Sequence, residues 1–171
     1  MNWLRAVGIA LFLPLAGATF TAANTTEAEP FSIDYVAWYY KPAQSFQRIA
    51  EYFGTPELTG RKIILRSDPK NRGGLYFVVH IDEDANELPK GSSFEVSAVF
   101  PDSPKAKLFK FPLPEPTPDH RVVWIGLTGD DEPADDEPPV SWLITIKGPQ
   151  GEIIASKKSF LWSDREAYEA S

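Results

Sequence analysis

Leu75-Tyr-Phe-Val-Val-His-Ile-Asp82 and Phe94-Glu-Val-Ser-Ala-Val-Phe100 are the stretches on which the fold turns. In the first, Leu75, Phe77, Val79 and Ile81 alternate with Tyr76, Val78, His80 and Asp82. In the second, Phe94, Val96, Ala98 and Phe100 alternate with Glu95, Ser97 and Val99. Side chains two apart share one face of a β-strand, so each run offers one continuous face to a core.

Turn residues interrupt the remaining chain about every eight to twelve positions, which suits short strands joined by tight connections. Further strands are expected at Phe31 to Tyr40, Lys62 to Arg66, Lys107 to Phe111, Arg121 to Thr128, Ser141 to Lys147 and Glu152 to Ser159. The last two flank Gly148-Pro-Gln-Gly151, a turn cluster that favours an antiparallel hairpin. About seven short strands without alternating helices predict an all-β fold, an immunoglobulin-like or fibronectin-like antiparallel β-sandwich over residues 31–162. Its core is expected to hold Phe77, Val79, Phe94, Val96, Ile125, Ile144 and Ile153. Pro101, Pro104, Pro112, Pro114, Pro116 and Pro118 fall between the central runs, where proline blunts strand edges by removing ladder donors.

One segment reads differently. Ser45 can cap a short helix in which Phe46, Ile49, Ala50 and Phe53 fall at i, i+3, i+4 and i+7, with Gly54 as its stop. This helix is expected to pack Phe46 and Phe53 against the sandwich core.

The chain begins Met1-Asn-Trp-Leu-Arg5, followed by an apolar run from Ala6 to Leu15 and small residues at Ala16-Gly17-Ala18 and Thr21-Ala22-Ala23. These are the parts of a secretory signal peptide, expected over residues 1–23, and the apolar run is too short to span a bilayer. A flexible polar leader over residues 24–30 and a tail over residues 163–171, opening on the capping-box pattern Ser163-Asp-Arg-Glu166, complete the expected organisation. The corresponding location is periplasmic or extracellular, for a mature chain with no membrane span. No cysteine is present, so packing alone has to hold the fold.

The net charge of −7 argues against nucleic-acid binding, which rests on neutralising phosphates with Lys and Arg. Six carboxylates crowd into the eight positions from Asp130 to Glu137, and without them the chain carries 24 − 6 = 18 acidic against 17 basic residues. Conversely, Arg61, Lys62, Arg66, Lys70 and Arg72 lie close together with only Asp68 among them. Exposed pairing between these two stretches, within a molecule or between molecules, would bias orientation more than stability.

Catalytic signatures are missing: there is no Cys, no G-x-S-x-G, no H-E-x-x-H and no P-loop. His80 shares a strand face with Asp82 at a spacing that would hold a metal only with a third ligand from elsewhere, and His120 stands at a strand entry. The acidic stretch offers Asp130, Asp131, Asp135 and Asp136 as oxygen ligands. Ca²⁺ is the candidate ion, because hard cations accept clustered carboxylates and carbonyls from a loop, although the EF-hand spacing is absent and Pro133, Pro138 and Pro139 limit convergence. A solvated loop is the simpler reading, and no other cofactor is called for. Trp38, Tyr39 and Tyr40 are consecutive, so in a strand Trp38 and Tyr40 share one face and Tyr39 takes the other. With Arg61, Lys62 and Arg66 they are the candidate binding residues. The sequence therefore predicts an exported, noncatalytic binding module with a protein partner. The alternative is a carbohydrate-recognition module with a Ca²⁺ site and an envelope glycan as ligand; a hydrolase is a distant third.

Overall fold

Among the described residues eight strands form in chain order: β1 (Ile33–Lys41), β2 (Ile63–Arg66), β3 (Gly74–Ile81), β4 (Ser93–Phe100), β5 (Ser103–Pro112), β6 (Val122–Thr128), β7 (Ser141–Lys147) and β8 (Ile153–Lys158). They make two four-stranded sheets, ordered β1-β3-β6-β2 and β5-β4-β7-β8. The sheets pack face to face in a β-sandwich-like arrangement, as the alternation predicts. The computed structural model describes residues 31–48, 51, 57, 59–133 and 137–162. The expected signal peptide, leader and tail lie outside these residues, as do Ile49, Ala50, Phe53 and Gly54 of the expected helix.

The inner faces follow the period-two reading. Leu75, Phe77, Val79 and Ile81 of β3 face Phe94, Val96, Ala98 and Phe100 of β4 in one buried cluster, with Val123, Ile125 and Leu127 from β6 and Ile144 and Ile146 from β7. Along the β1 and β8 edges, the Lys157 ammonium donates to the carbonyl oxygens of Ile33 (3.0 Å) and Asp34 (2.5 Å), tying one sheet to the other. Gly74 opens β3 at φ 147°, and a Cβ there would fall 2.2 Å from the Leu127 oxygen. Only glycine lets β3 and β6 approach this closely at that point.

Four expectations need correction. First, the sandwich is not wholly antiparallel, because β2 runs parallel to β6, and the eight expected segments all form strands among the described residues where about seven were counted. β1 and β2 occupy opposite edges of one sheet and run parallel to each other, and of the residues between them Phe46 and Glu57 lie against its outer face. Second, no α-helix forms among the described residues; Ala43–Phe46 is a 3-10 turn entered from Pro42, and Ser45 lies inside it, donating to the Pro42 carbonyl at 2.8 Å. Third, Phe46 is buried, but against the outer face of the sheet and not in the shared core. Fourth, Ile153 is 64% exposed. A register shift between Ile146 and Lys147 pairs Ile153 with outward-facing Lys147, and Ile154 and Ala155 pack on the core in its place.

Candidate functional site

The outer face of the β1-β3-β6-β2 sheet is where the polar and aromatic residues converge. Strand alternation turns Tyr76 and Val78 of β3, Trp124 and Gly126 of β6, and Arg66 of β2 to this side. Cross-strand pairing sets Tyr76 beside Gly126, and Arg66 beside Gly126 from the other flank. The missing side chain of Gly126 makes room for the Tyr76 ring, since a Cβ would lie 2.5 Å from it. The chain crossing this face lays Phe46 on Tyr76 (centroids 4.9 Å apart) and edge-on to Trp124 (6.1 Å).

A polar clasp closes over the rings. The Arg66 guanidinium donates to both Glu57 carboxylate oxygens (2.6 and 2.8 Å), and its Nε donates to the Tyr76 hydroxyl at 2.7 Å. That hydroxyl in turn donates to the Arg72 carbonyl at 2.7 Å. Arg72 pairs with Glu51 and stands 3.8 Å from Glu57. The Arg66 hydrogen bond holds the Glu57 carboxyl below the ordinary glutamate value, against the opposing effect of burial. Burial pushes the Tyr76 hydroxyl up, with Arg66 acting in the other direction. Burial also disfavours charge on Arg66, yet its bonds to Glu57 and Tyr76 leave its pKa raised on balance. Arg66 is thus committed to this clasp. Lys62 rests its ammonium 3.9 Å from the Trp124 ring, and burial, followed by the nearby Arg48 and Lys41 charges, lowers its pKa. Arg61 is exposed and lines a polar cleft with Asp84, Asp119, His120 and Arg121.

The aromatic triplet stands apart from the clasp, on edge strand β1. Trp38 and Tyr40 pair with inward-facing Phe77 and Leu75, but at the sandwich margin they remain 40% and 38% exposed. Tyr39 pairs with Tyr76 on the outer face and is 48% exposed. Tyr35, a residue not singled out by sequence reasoning, is 55% exposed and meets the His80 ring edge-on at 5.9 Å. The four edges differ in how they are protected. β2 has four residues; β5 carries Pro104, Lys105, Lys107, Lys110 and Pro112; and β8 carries Lys157 and Lys158. Short length, lysine and proline each discourage pairing with another chain. From Tyr35 to Tyr40, β1 has none of them.

Asp130 and Asp131 are exposed in the 3-10 turn Gly129–Asp131, and Asp135 and Asp136 lie outside the described residues. Among the described residues no group of three His, Asp or Glu is placed to hold a metal ion. Of the His80 and Asp82 pair, the Asp82 carboxylate accepts the Ser32 backbone N–H at 2.8 Å, which keeps its pKa low. The basic stretch directs Arg66 and Arg72 to Glu57 and Glu51, and among the described residues no ion pair joins it to the acidic turn. The two do border one open groove of about 560 Å³, whose lining includes Tyr40, Gln44, Gln47, Asn71, Arg72 and Glu132. No helix among the described residues is long and apolar enough to cross a membrane.

No protein-family model, curated protein or solved structure matches the chain. Of the residues that build this face, sequence reasoning named Arg66 and Lys62 but missed the Glu57, Glu51, Phe46 and Tyr76 combination. Tyr76 left one signal, an aromatic on the side of β3 that its alternation assigned away from the core. Its partners left none, because their spacing in sequence follows no local rule.

Proposed function

We propose that the chain is an exported, noncatalytic binding module that recognises another protein through edge strand β1. The observation carrying this reading is the asymmetry of the edges. Three bear lysine, proline or very short length along the strand, whereas β1 carries neither lysine nor proline over the six residues from Tyr35 to Tyr40 and exposes Tyr35, Trp38, Tyr39 and Tyr40 there, its one lysine, Lys41, standing at the strand end. An unprotected edge offers unpaired backbone donors and acceptors for main-chain recognition, and large aromatics supply contact area at low entropic cost. The strand order also supports an immunoglobulin-like reading of the sandwich. With β2 set aside, β1-β3-β6 follows the A-B-E order and β5-β4-β7-β8 follows C′-C-F-G, while β2 occupies the edge beside β6 that strand D otherwise holds. The test is to immobilise the native chain and the Trp38→Ala/Tyr39→Ala variant and compare the proteins each retains from an envelope fraction. A partner retained by the native chain and lost by the variant is expected; identical sets on both would refute the proposal.

A second reading, carbohydrate recognition, is favoured by the open groove beside Tyr40, where an aromatic ring adjoins the amides of Gln44, Gln47 and Asn71. Gln44→Ala/Asn71→Ala leaves β1 intact, so loss of glycan binding in that variant alone would select this reading.

A further inference from the structure

We infer that Lys41, Arg48 and Lys62 form an oxyanion site on the outer face of the β1-β3-β6-β2 sheet, and that its ligand is an acidic glycan bearing carboxylate or sulfate groups. The site uses outward side chains and not the β1 backbone, so it stands whether or not a protein pairs with that edge. Lys41 reaches over the sheet from the end of β1, and Lys62 approaches from the opposite side, just before β2. Their ammonium groups converge on one ring, Trp124 of β6, at centroid distances of 5.9 Å for Lys41 and 3.9 Å for Lys62. Lys41 also lies 5.3 Å from the Tyr39 ring. Arg48, exposed just after the Ala43–Phe46 turn and near enough to act on Lys62, is the third cation of the group.

Three like charges held together oppose one another. Burial lowers the Lys62 pKa, and the Arg48 and Lys41 charges lower it further. Among the described residues no carboxylate forms an ion pair with any of the three. Glu57, whose charge acts the other way on Lys62, is committed to Arg66 by two hydrogen bonds. The Trp124 ring attracts the two ammonium groups and so orients them, but it does not neutralise them. A carboxylate or sulfate between them would accept charge-assisted hydrogen bonds at about 2.8 Å and relieve the repulsion. This cluster therefore gains more from an anion than scattered surface lysines do. The choice of a glycan rests on the rings beside the cations. Tyr39 is half exposed on the same face, and a sugar packs its C–H groups on such a ring while its acid group meets the lysines. The net charge of −7 opposes nucleic acid as the ligand.

Isothermal titration calorimetry of the native chain against polygalacturonate, dextran sulfate and neutral dextran tests the site, and the first two probes separate carboxylate from sulfate. Binding of at least one acidic polymer and not of dextran is expected, weakened about tenfold or more by Lys41→Gln/Arg48→Gln and by Lys62→Gln. Lys41 and Arg48 are not buried, so the first variant reports on binding even where loss of Lys62 from Trp124 disturbs folding. Lys62→Arg keeps a cation over the ring and should retain binding. Lys90→Gln/Lys105→Gln removes two exposed charges beside β4 and on β5, in the other sheet, and should leave the affinity unchanged. Raising the salt from about 20 mM to about 0.3 M should weaken binding, since exposed charges are screened. No binding of either acidic polymer overturns the inference. An equal loss in Lys90→Gln/Lys105→Gln also overturns it, because binding would then follow overall charge. Polyglutamate bound as tightly as the acidic glycans sinks the assignment to sugar, since a polypeptide brings the charge without the sugar ring.

Discussion

The two faces of β3 bury aromatic rings by different means. On the inner face, Phe77 is sealed among Val79, Phe94, Ile125 and Ile144, all fully buried and none with a polar side chain. On the outer face, Tyr76 is equally buried, yet its hydroxyl is fixed by Arg66 and the Arg72 carbonyl, under a cover supplied by Phe46 and the Glu57–Arg66 pair. The inner face gains from the area removed from water, whatever the detailed partners, so long as the shapes fit. The outer face depends on individual groups meeting one another, because a buried donor or acceptor left alone is costly. A sheet can thus be covered on one side by another sheet and on the other by a single crossing segment, provided that polar bonds hold the segment in place.

The largest expected effect is on the inner face. Phe77→Ala should lower the unfolding free energy by about 3–5 kcal/mol, measured by chemical denaturation. An unchanged midpoint would mean that the inner face does not rely on packing. On the outer face, Gly126→Ala puts a methyl group against a tyrosine ring held at its hydroxyl end, and should cost about 1–3 kcal/mol. Combining it with Tyr76→Leu should recover part of that loss; no recovery would place the strain elsewhere.

Glu57→Gln tests the clasp itself. Replacing the carboxylate in its two-bond contact with Arg66 should cost about 1–2 kcal/mol at neutral pH. The sign with pH follows from the depressed Glu57 value. The contribution is present above the ordinary glutamate value of about 4.3 and is lost as pH falls through the lower folded-state value. The native chain should therefore lose stability on that acid limb more steeply than Glu57→Gln, and parallel acid profiles would remove Glu57 from the account.

The smallest effects belong to groups outside both buried faces. Asp130→Asn/Asp131→Asn changes exposed carboxylates in a turn and should shift stability by no more than about 0.5 kcal/mol in metal-free buffer. If millimolar Ca²⁺ raises the melting temperature of the native chain and not of this variant, the acidic stretch is a cation site after all.

The inner face was legible because its information is local. Period-two alternation in Leu75 to Ile81 and Phe94 to Phe100 assigns each residue a side before any partner is known. The Gly148 to Gly151 turn likewise closes the β7–β8 hairpin where the sequence placed it. Local pattern failed where one residue of register intervened, as at Ile153. It failed also at Ser45 to Phe46, where a spacing that fits a helix stripe instead carries a ring onto Tyr76 and Trp124. The candidate site was half visible: the β1 aromatics could be named and their alternation stated, but exposure could not.

By itself the sequence determined the strands, the inward residues of the alternating runs in β3 and β4 and a two-layer fold, because burying one face of each strand is a constraint that every alternating segment must satisfy on its own. Which strand would stand at an edge was left to the tertiary structure, since an edge is defined only by the absence of a neighbour. The commitment of Arg66 to Glu57 and Tyr76 was also a tertiary outcome, since no local period relates these three residues and the crossing from β1 to β2 over one face is what makes them neighbours.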